Sequence, residues 1–247
     1  MDEYQLKNFV KFAPARLGLA AKKHLLVHIP KNGGIALREA PALKDRIVIA
    51  HRRRLISRKY ADELQNFMTS RKLHPGYEHA RLRDIDRSVR NGTIPFAVIR
   101  NPWARTFSRY KFYLQTGGGK LPKTELSIQG FEKFLDTRHD VGNQDFFWHR
   151  ASLGWYPQAD YVVDETGKLA VEILRQENLS DEVSRYFNVA DRLESKNVSR
   201  NAGASYKDFY TKSTIQEIAD WYASDLEMFG FDFDTAAQKG TVFTTAL

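Results

Sequence analysis

The sequence predicts one α/β domain, with a parallel sheet held between layers of helices. Three observations carry that expectation. Short apolar runs alternate with helical patterns along the chain. Turn residues punctuate the junctions, and no linker or internal repeat divides the 247 residues, so a single domain over 1–247 is expected. Hydrophobic residues make up 42% of the chain, enough to bury a sizeable core.

His24-Leu-Leu-Val-His-Ile-Pro30 is a short apolar run closed by proline, the pattern of a buried strand. Lys31-Asn-Gly-Gly34 makes a turn, and Ile35–Ala40 starts a helix that Pro41 stops. Arg46–Ala50 reads as a second buried strand. Ser57 can cap a helix running to about Met68, and residues 81–90 read as helical, with Gly92 behind them. Pro95–Arg100 is a third strand. Asn101-Pro102 supplies a cap and a first-turn proline for a helix to about Gln115, which Gly117-Gly-Gly119 ends. Gly117 to Ser127 reads as a surface loop. Asp160–Val163 and Leu169–Leu174 read as two strands around the turn Asp164-Glu-Thr-Gly167. Ile215, Ile218, Ala219, Tyr222, Leu226 and Phe229 mark one face of a last helix.

Composition narrows the chemistry. The absence of cysteine excludes disulfides, thiolate metal sites and a cysteine nucleophile. The net charge of +8 is uneven: residues 1–123 hold 26 Lys/Arg against 9 Asp/Glu, and residues 124–247 hold 12 against 21. So basic a first half points to an anionic ligand, with phosphate, sulfate, nucleic acid and anionic lipid headgroups all open. The N-terminus lacks the apolar core of a signal peptide, and no run approaches the ~20 residues of a spanning helix. A soluble, cytoplasmic protein with no membrane partner is expected.

Two segments carry chemistry. In Pro30-Lys-Asn-Gly-Gly34 a strand hands over to a helix, a geometry that offers backbone N–H groups to an anion. Gly33 and Gly34 permit close approach, and Lys31 adds a mobile charge. The pattern differs from Gly-x-x-x-x-Gly-Lys-Ser/Thr: the lysine precedes the glycines, and no hydroxyl follows to hold magnesium. In Phe96-Ala-Val-Ile-Arg-Asn-Pro-Trp-Ala-Arg-Thr-Phe-Ser108, Arg100 closes a strand at the edge where open α/β sheets bind ligands. Ser108 lies about two helical turns farther on, and with Arg105 it can join Arg100 around a second phosphate.

Together these segments resemble the PAPS-dependent sulfotransferase family. His28-Ile-Pro-Lys-Asn-Gly-Gly34 is similar to the family's 5′-phosphosulfate loop. Val98-Ile-Arg-Asn-Pro-Trp-Ala-Arg105, with Ser108, is similar to its 3′-phosphate motif. Weaker similarity runs through Trp155-Tyr-Pro-Gln158, Arg175-Gln-Glu-Asn-Leu179 and Asp225-Leu226, and it is greatest to carbohydrate and heparan-type members in a soluble, bacterial-like form. The resemblance implies a three-layer, P-loop-like fold. It implies sulfuryl transfer from 3′-phosphoadenosine-5′-phosphosulfate (PAPS) to a hydroxyl or amine, on a carbohydrate acceptor, with no metal. Lys31 would meet the oxygen bridging sulfur and the 5′-phosphate. The backbone amides of Asn32, Gly33, Gly34, Ile35 and Ala36 would hold that phosphate, and Arg100 and Ser108 the 3′-phosphate. Ser199 and Arg200 resemble a further nucleotide contact. The family's loop continues with hydroxyl side chains where this chain has Ile35 and Ala36, so two side-chain contacts are missing while the amides remain.

Transfer to a hydroxyl needs a base. His51, after the second strand, is the first candidate and His79, beside Glu78, the second. Arg52 and Arg53, with Arg54, can dock an anionic acceptor, and Arg150, Trp155 and Gln158 can line its cleft. The expected partners are a nucleotide donor and a saccharide. No helix-turn-helix, RRM or zinc-finger pattern supports nucleic acid. Alternatives are a P-loop kinase or NTPase, a non-catalytic nucleic-acid module, and an inactive relative that only binds the product nucleotide, PAP.

Overall fold

A computed structural model of the chain describes residues 3–116, 126–190, 193 and 205–234. Four strands form its centre: β1 (Lys23–Val27), β2 (Ile47–Ile49), β3 (Thr93–Ile99) and β4 (Glu172–Arg175). The helices before β3 are α1 (Glu3–Arg16), α2 (Gly34–Glu39), α3 (Arg58–Ser70) and α4 (Arg87–Asn91). Between β3 and β4 lie α5 (Pro102–Thr116), α6 (Ile128–Val141) and α7 (Ala159–Val162). After β4 come α8 (Leu179–Phe187), α9 (Lys212–Trp221) and α10 (Ala223–Phe229).

All strands pair in parallel, in the order β2-β1-β3-β4. Alternation along each strand sends neighbouring side chains to opposite faces. Leu25, Val27, Ala97, Ile99 and Ile173 enter one core, while Leu26, Phe96, Val98 and Leu174 enter another. The smaller core is closed by Leu37 of α2 and by Leu179, Val183 and Phe187 of α8. The larger takes residues from α1, α3 to α7, α9 and α10. The sheet is therefore the middle of three layers.

Topology sets where a ligand can sit. The chain passes from β1 to β2 across the face of the smaller core. It returns past β1 to β3, and goes on to β4, across the other face. Opposite directions of travel on opposite faces are what a single crossover hand requires. The connections leaving the adjacent strands β1 and β3 thus diverge, and such a divergence at the carboxyl ends is where open α/β sheets bind ligands.

Several expectations need correction. Asp160–Val163 is no strand. Ala159 N–H donates to Asp225 Oδ1 (2.8 Å) and Tyr161 N–H to Gln158 O (3.0 Å), which winds Ala159–Val162 into one helical turn. Of the expected pairing between Asp160–Val163 and Leu169–Leu174 an isolated antiparallel bridge, Val163 to Leu169, remains, and the second segment forms a strand only from Glu172, as β4. Residues 81–90 split at Ile85, which bridges to Ile56, and Asp86 caps α4 by accepting from Ser88 N–H (3.0 Å). The last helix breaks at Tyr222. α1 and α6 were not expected. Ser127 caps α6 through Gly130 N–H (3.0 Å), so it ends the foreseen loop, of which residues 117–125 lie outside the described residues.

Candidate functional site

The loop after β1 is built around unusual backbone. Lys31 (φ 69°) and Gly33 (φ 78°) are both left-handed, a costly state for a lysine. Three hydrogen bonds hold it. Arg100 Nη1 donates to Lys31 O (3.1 Å), and Asn32 Nδ2 donates to Val98 O (2.7 Å) and Gln158 Oε1 (2.6 Å). Gly34 packs directly on a histidine: a Cβ there would stand 2.1 Å from the His28 ring. Leu37 N–H donates to Gly33 O (3.4 Å) as the first rung of α2. The N–H groups from Asn32 to Ala36 precede that ladder, and they are the donors the loop can offer. Ile35 is exposed and Ala36 half-buried, and neither side chain adds a donor.

The end of β3 supplies cations. Asn101 caps α5, its Oδ1 accepting from Trp103 N–H (3.0 Å) and Ala104 N–H (3.2 Å). One stripe of α5 then carries Arg105, Ser108, Arg109 and Phe112. Arg105 is buried and ties two segments together, donating to Pro30 O (3.3 Å) and Tyr156 O (3.0 Å). Arg109, also buried, donates to Tyr222 OH (3.0 Å) and Ser152 O (2.8 Å) and lies 4.1 Å from the Trp155 ring centroid. Lys31 Nζ rests 4.2 Å from the Phe112 ring centroid, one turn beyond half-buried Ser108.

Electrostatics mark this place as short of negative charge. Burial, and after it the charges of Arg100, Lys111 and Arg109, together lower the Lys31 pKa to about 8. Burial lowers Arg100 too, opposed by Glu177 and helped by Arg105. Lys111 is lowered by burial and then by Arg100. Lys31, Arg100 and Lys111 thus feel one another, and none forms an ion pair among the described residues. An anion among these three cations would relieve that repulsion. Lys111 and Phe112 escaped the sequence reading, although their spacing from Ser108, at i+3 and i+4, points to them.

The two candidate bases differ. His79 Nδ1–H donates to His28 O (2.8 Å), which leaves Nε2 as the proton acceptor. Its ring is 4.5 Å from that of His28. Burial lowers its pKa against the pull of the His28 carbonyl and Glu78, and Arg105 and Arg150 add to the lowering, so the ring is neutral. His51 is exposed at the end of β2. Its Nδ1–H donates to Ile49 O (3.0 Å) and its Nε2 accepts from Arg52 Nε (3.3 Å).

The acceptor residues scatter. Gln158 does not line a cleft. It is fully buried, accepting from Asn32 Nδ2 and Arg100 N–H (2.9 Å) and donating to Arg100 O (2.8 Å) and Asp225 Oδ2 (3.0 Å). It locks the two motif segments to α10. Trp155 is likewise buried, against Phe134 and Trp221. Arg150 is half-buried and near enough to His79 to lower it. Arg52 is exposed, and Arg53 pairs with Asp62 of α3. Arg53 and Arg54 border a separate cavity of about 260 Å³ against the first turn of α1. Ser199 and Arg200 lie outside the described residues.

Among the described residues no three His, Asp or Glu side chains gather as a metal site, and no helix is long and apolar enough to cross a membrane. Set beside known proteins, the chain matches no family model, no curated protein and no solved structure.

Proposed function

We propose that the chain is a PAPS-dependent sulfotransferase acting on a hydroxyl or amine, with a saccharide as the acceptor. The observation that carries this reading is the junction of the two motif loops at the β1–β3 divergence. There Arg100 holds the Lys31 carbonyl, and Lys31, Arg100 and Lys111 share a region without an ion-pair partner among the described residues. A donor with anionic groups at both ends suits two adjoining cationic loops. The chain's groups fit it: main-chain donors from Asn32 to Ala36 for one phosphate, Arg100 and Ser108 for the other.

PAPS supplies an activated sulfuryl group whose leaving oxygen belongs to the 5′-phosphate. Lys31, released from Phe112, neutralises charge growing on that oxygen. His79 Nε2 takes the acceptor proton while the acceptor oxygen bonds to sulfur and the old sulfur–oxygen bond breaks, its electron pair leaving with PAP. His79 is preferred to His51 because its Nε2 is not the nitrogen engaged by the His28 carbonyl, whereas that of His51 accepts from Arg52, and because it touches the β1 end that carries Lys31. Arg150, near His79, suits an acidic group on the acceptor. Gln158 and Arg105 position the loops, which is a large part of catalysis in group transfer of this kind.

Transfer of labelled sulfate from PAPS to a saccharide panel tests the reading, with Lys31→Ala as the comparison. Transfer that survives Lys31→Ala refutes it. PAP should raise the melting temperature and ATP–magnesium should not; the reverse favours a kinase or NTPase. PAP binding with no transfer to any acceptor marks an inactive relative.

A further inference from the structure

α1 has a second apolar face that the fold does not use. Asn8 and Phe12 are buried on the body side, where Asn8 Nδ2 donates to Arg54 O (2.6 Å) and Phe12 packs so close to Gly92 that a Cβ there would stand 2.5 Å away. The outer side carries Leu6, Phe9, Val10, Ala13 and Leu17, at i, i+3, i+4, i+7 and i+11, in one stripe. Leu17 continues it because its N–H still donates to Ala13 O (2.9 Å). Leu6, Phe9, Val10 and Leu17 are 49%, 45%, 62% and 71% exposed, and Leu19, in the turn that follows, 79%. Scattered exposed leucines are ordinary, whereas an aligned row is a contact surface.

Cations frame the row. Lys11 and Arg16 flank it, Arg16 stacking 4.0 Å from the Phe9 ring centroid, and Lys22 and Lys23 stand exposed just beyond Leu19. Lys7 is paired with Glu3. Exposed Arg52 and Arg54 lie at the segment that Asn8 grips. We infer that α1 seats the protein on an anionic phospholipid surface. Leu6, Phe9, Val10, Leu17 and Leu19 enter the headgroup boundary, and the lysines and arginines stay at phosphate level. The stripe from Leu6 to Leu17 is about 17 Å long and a single row wide, far short of the ~800 Å² per partner of a stable interface. A second copy would also bring the same cations against these. A surface-bound helix needs no spanning segment, so it lies outside the ground on which no membrane partner is expected. The inference stands apart from the sulfotransferase reading.

The full chain is sedimented with vesicles of phosphatidylcholine and phosphatidylserine, and with phosphatidylcholine alone. Binding to the first, absent from the second and reversed by salt, is expected. Phe9→Ser with Val10→Ser, both on the solvent side, should leave thermal melting unchanged and cut partitioning at least about tenfold. Lys11→Gln with Lys22→Gln should cut it about 30-fold. Three results would overturn the inference: no binding to the anionic vesicles at low salt, binding indifferent to the Phe9/Val10 pair, or a dimer in light scattering that the same pair dissociates.

Discussion

Replacing Gly34 with alanine tests how the phosphate loop is held. The new Cβ would meet His28 Cδ2 and Nε2 at 2.1 Å and Cε1 at 3.1 Å. The ring has little room to retreat, because it is buried with the His79 ring 4.5 Å away. Overpacking of this kind costs ~1–3 kcal/mol, and the gain of alanine over glycine in a helix returns at most about 1. A net loss of about 1 kcal/mol is expected, or roughly 2–4 °C in melting temperature for a chain of this size. Urea denaturation followed by circular dichroism measures it. The informative arm is His28→Ala, which empties the contested space. In that background Gly34→Ala should be neutral or slightly stabilising, giving a coupling of about 1–2 kcal/mol between the two sites. An equal loss in both backgrounds would refute the argument that the histidine ring dictates glycine here.

Other outcomes follow from the same geometry. Lys31, with its pKa lowered to about 8, loses charge as pH rises through that value, so PAP affinity by calorimetry should fall between about pH 7 and about pH 9, and Lys31→Ala should flatten the profile. Burial lowers His28, His79 and His149, the last to about 3; they are neutral when folded and protonate near 6.5 when unfolded. Stability should therefore be full above about pH 6.5 and decline as pH falls below it, with a shallower decline in His149→Gln denatured in urea at several pH values. Gln158→Leu strands buried groups on Asn32, Arg100 and Asp225 and should cost about 3 kcal/mol or more by the same method; an unchanged midpoint would contradict its role as a lock. In transfer assays His79→Asn should lower kcat ~10²–10⁴-fold while His51→Asn changes it little.

What could be read in advance was local. β1 and β3 showed as apolar runs, and Asn101-Pro102 announced α5 because cap and first-turn proline act within a few residues. Placing their carboxyl ends side by side required the strand order, which depends on pairings such as Leu26 with Phe96 that no short window contains. His79 was ranked second because nothing near it in sequence reveals the His28 carbonyl that fixes its tautomer. Gln158, beside aromatic residues, looked like a cleft residue; its partner Asp225 is 67 positions away. α1 hid behind Pro14 and behind apolar residues on two faces, which blur a single period.

Asn32-Gly33 carries a further consequence. In a free peptide this pair ages chemically: the glycine nitrogen attacks the asparagine side-chain carbonyl, ammonia leaves to give a cyclic imide, and water opens that ring to aspartate or isoaspartate. In the folded chain Asn32 is buried, its amide nitrogen engaged by Val98 O and Gln158 Oε1. The reaction must wait for the loop to open. Once it has happened, a carboxylate would face two oxygen acceptors and the loop could not close as before. Slow gain of negative charge at this one position is thus a clock that counts openings of the loop, and each tick is permanent.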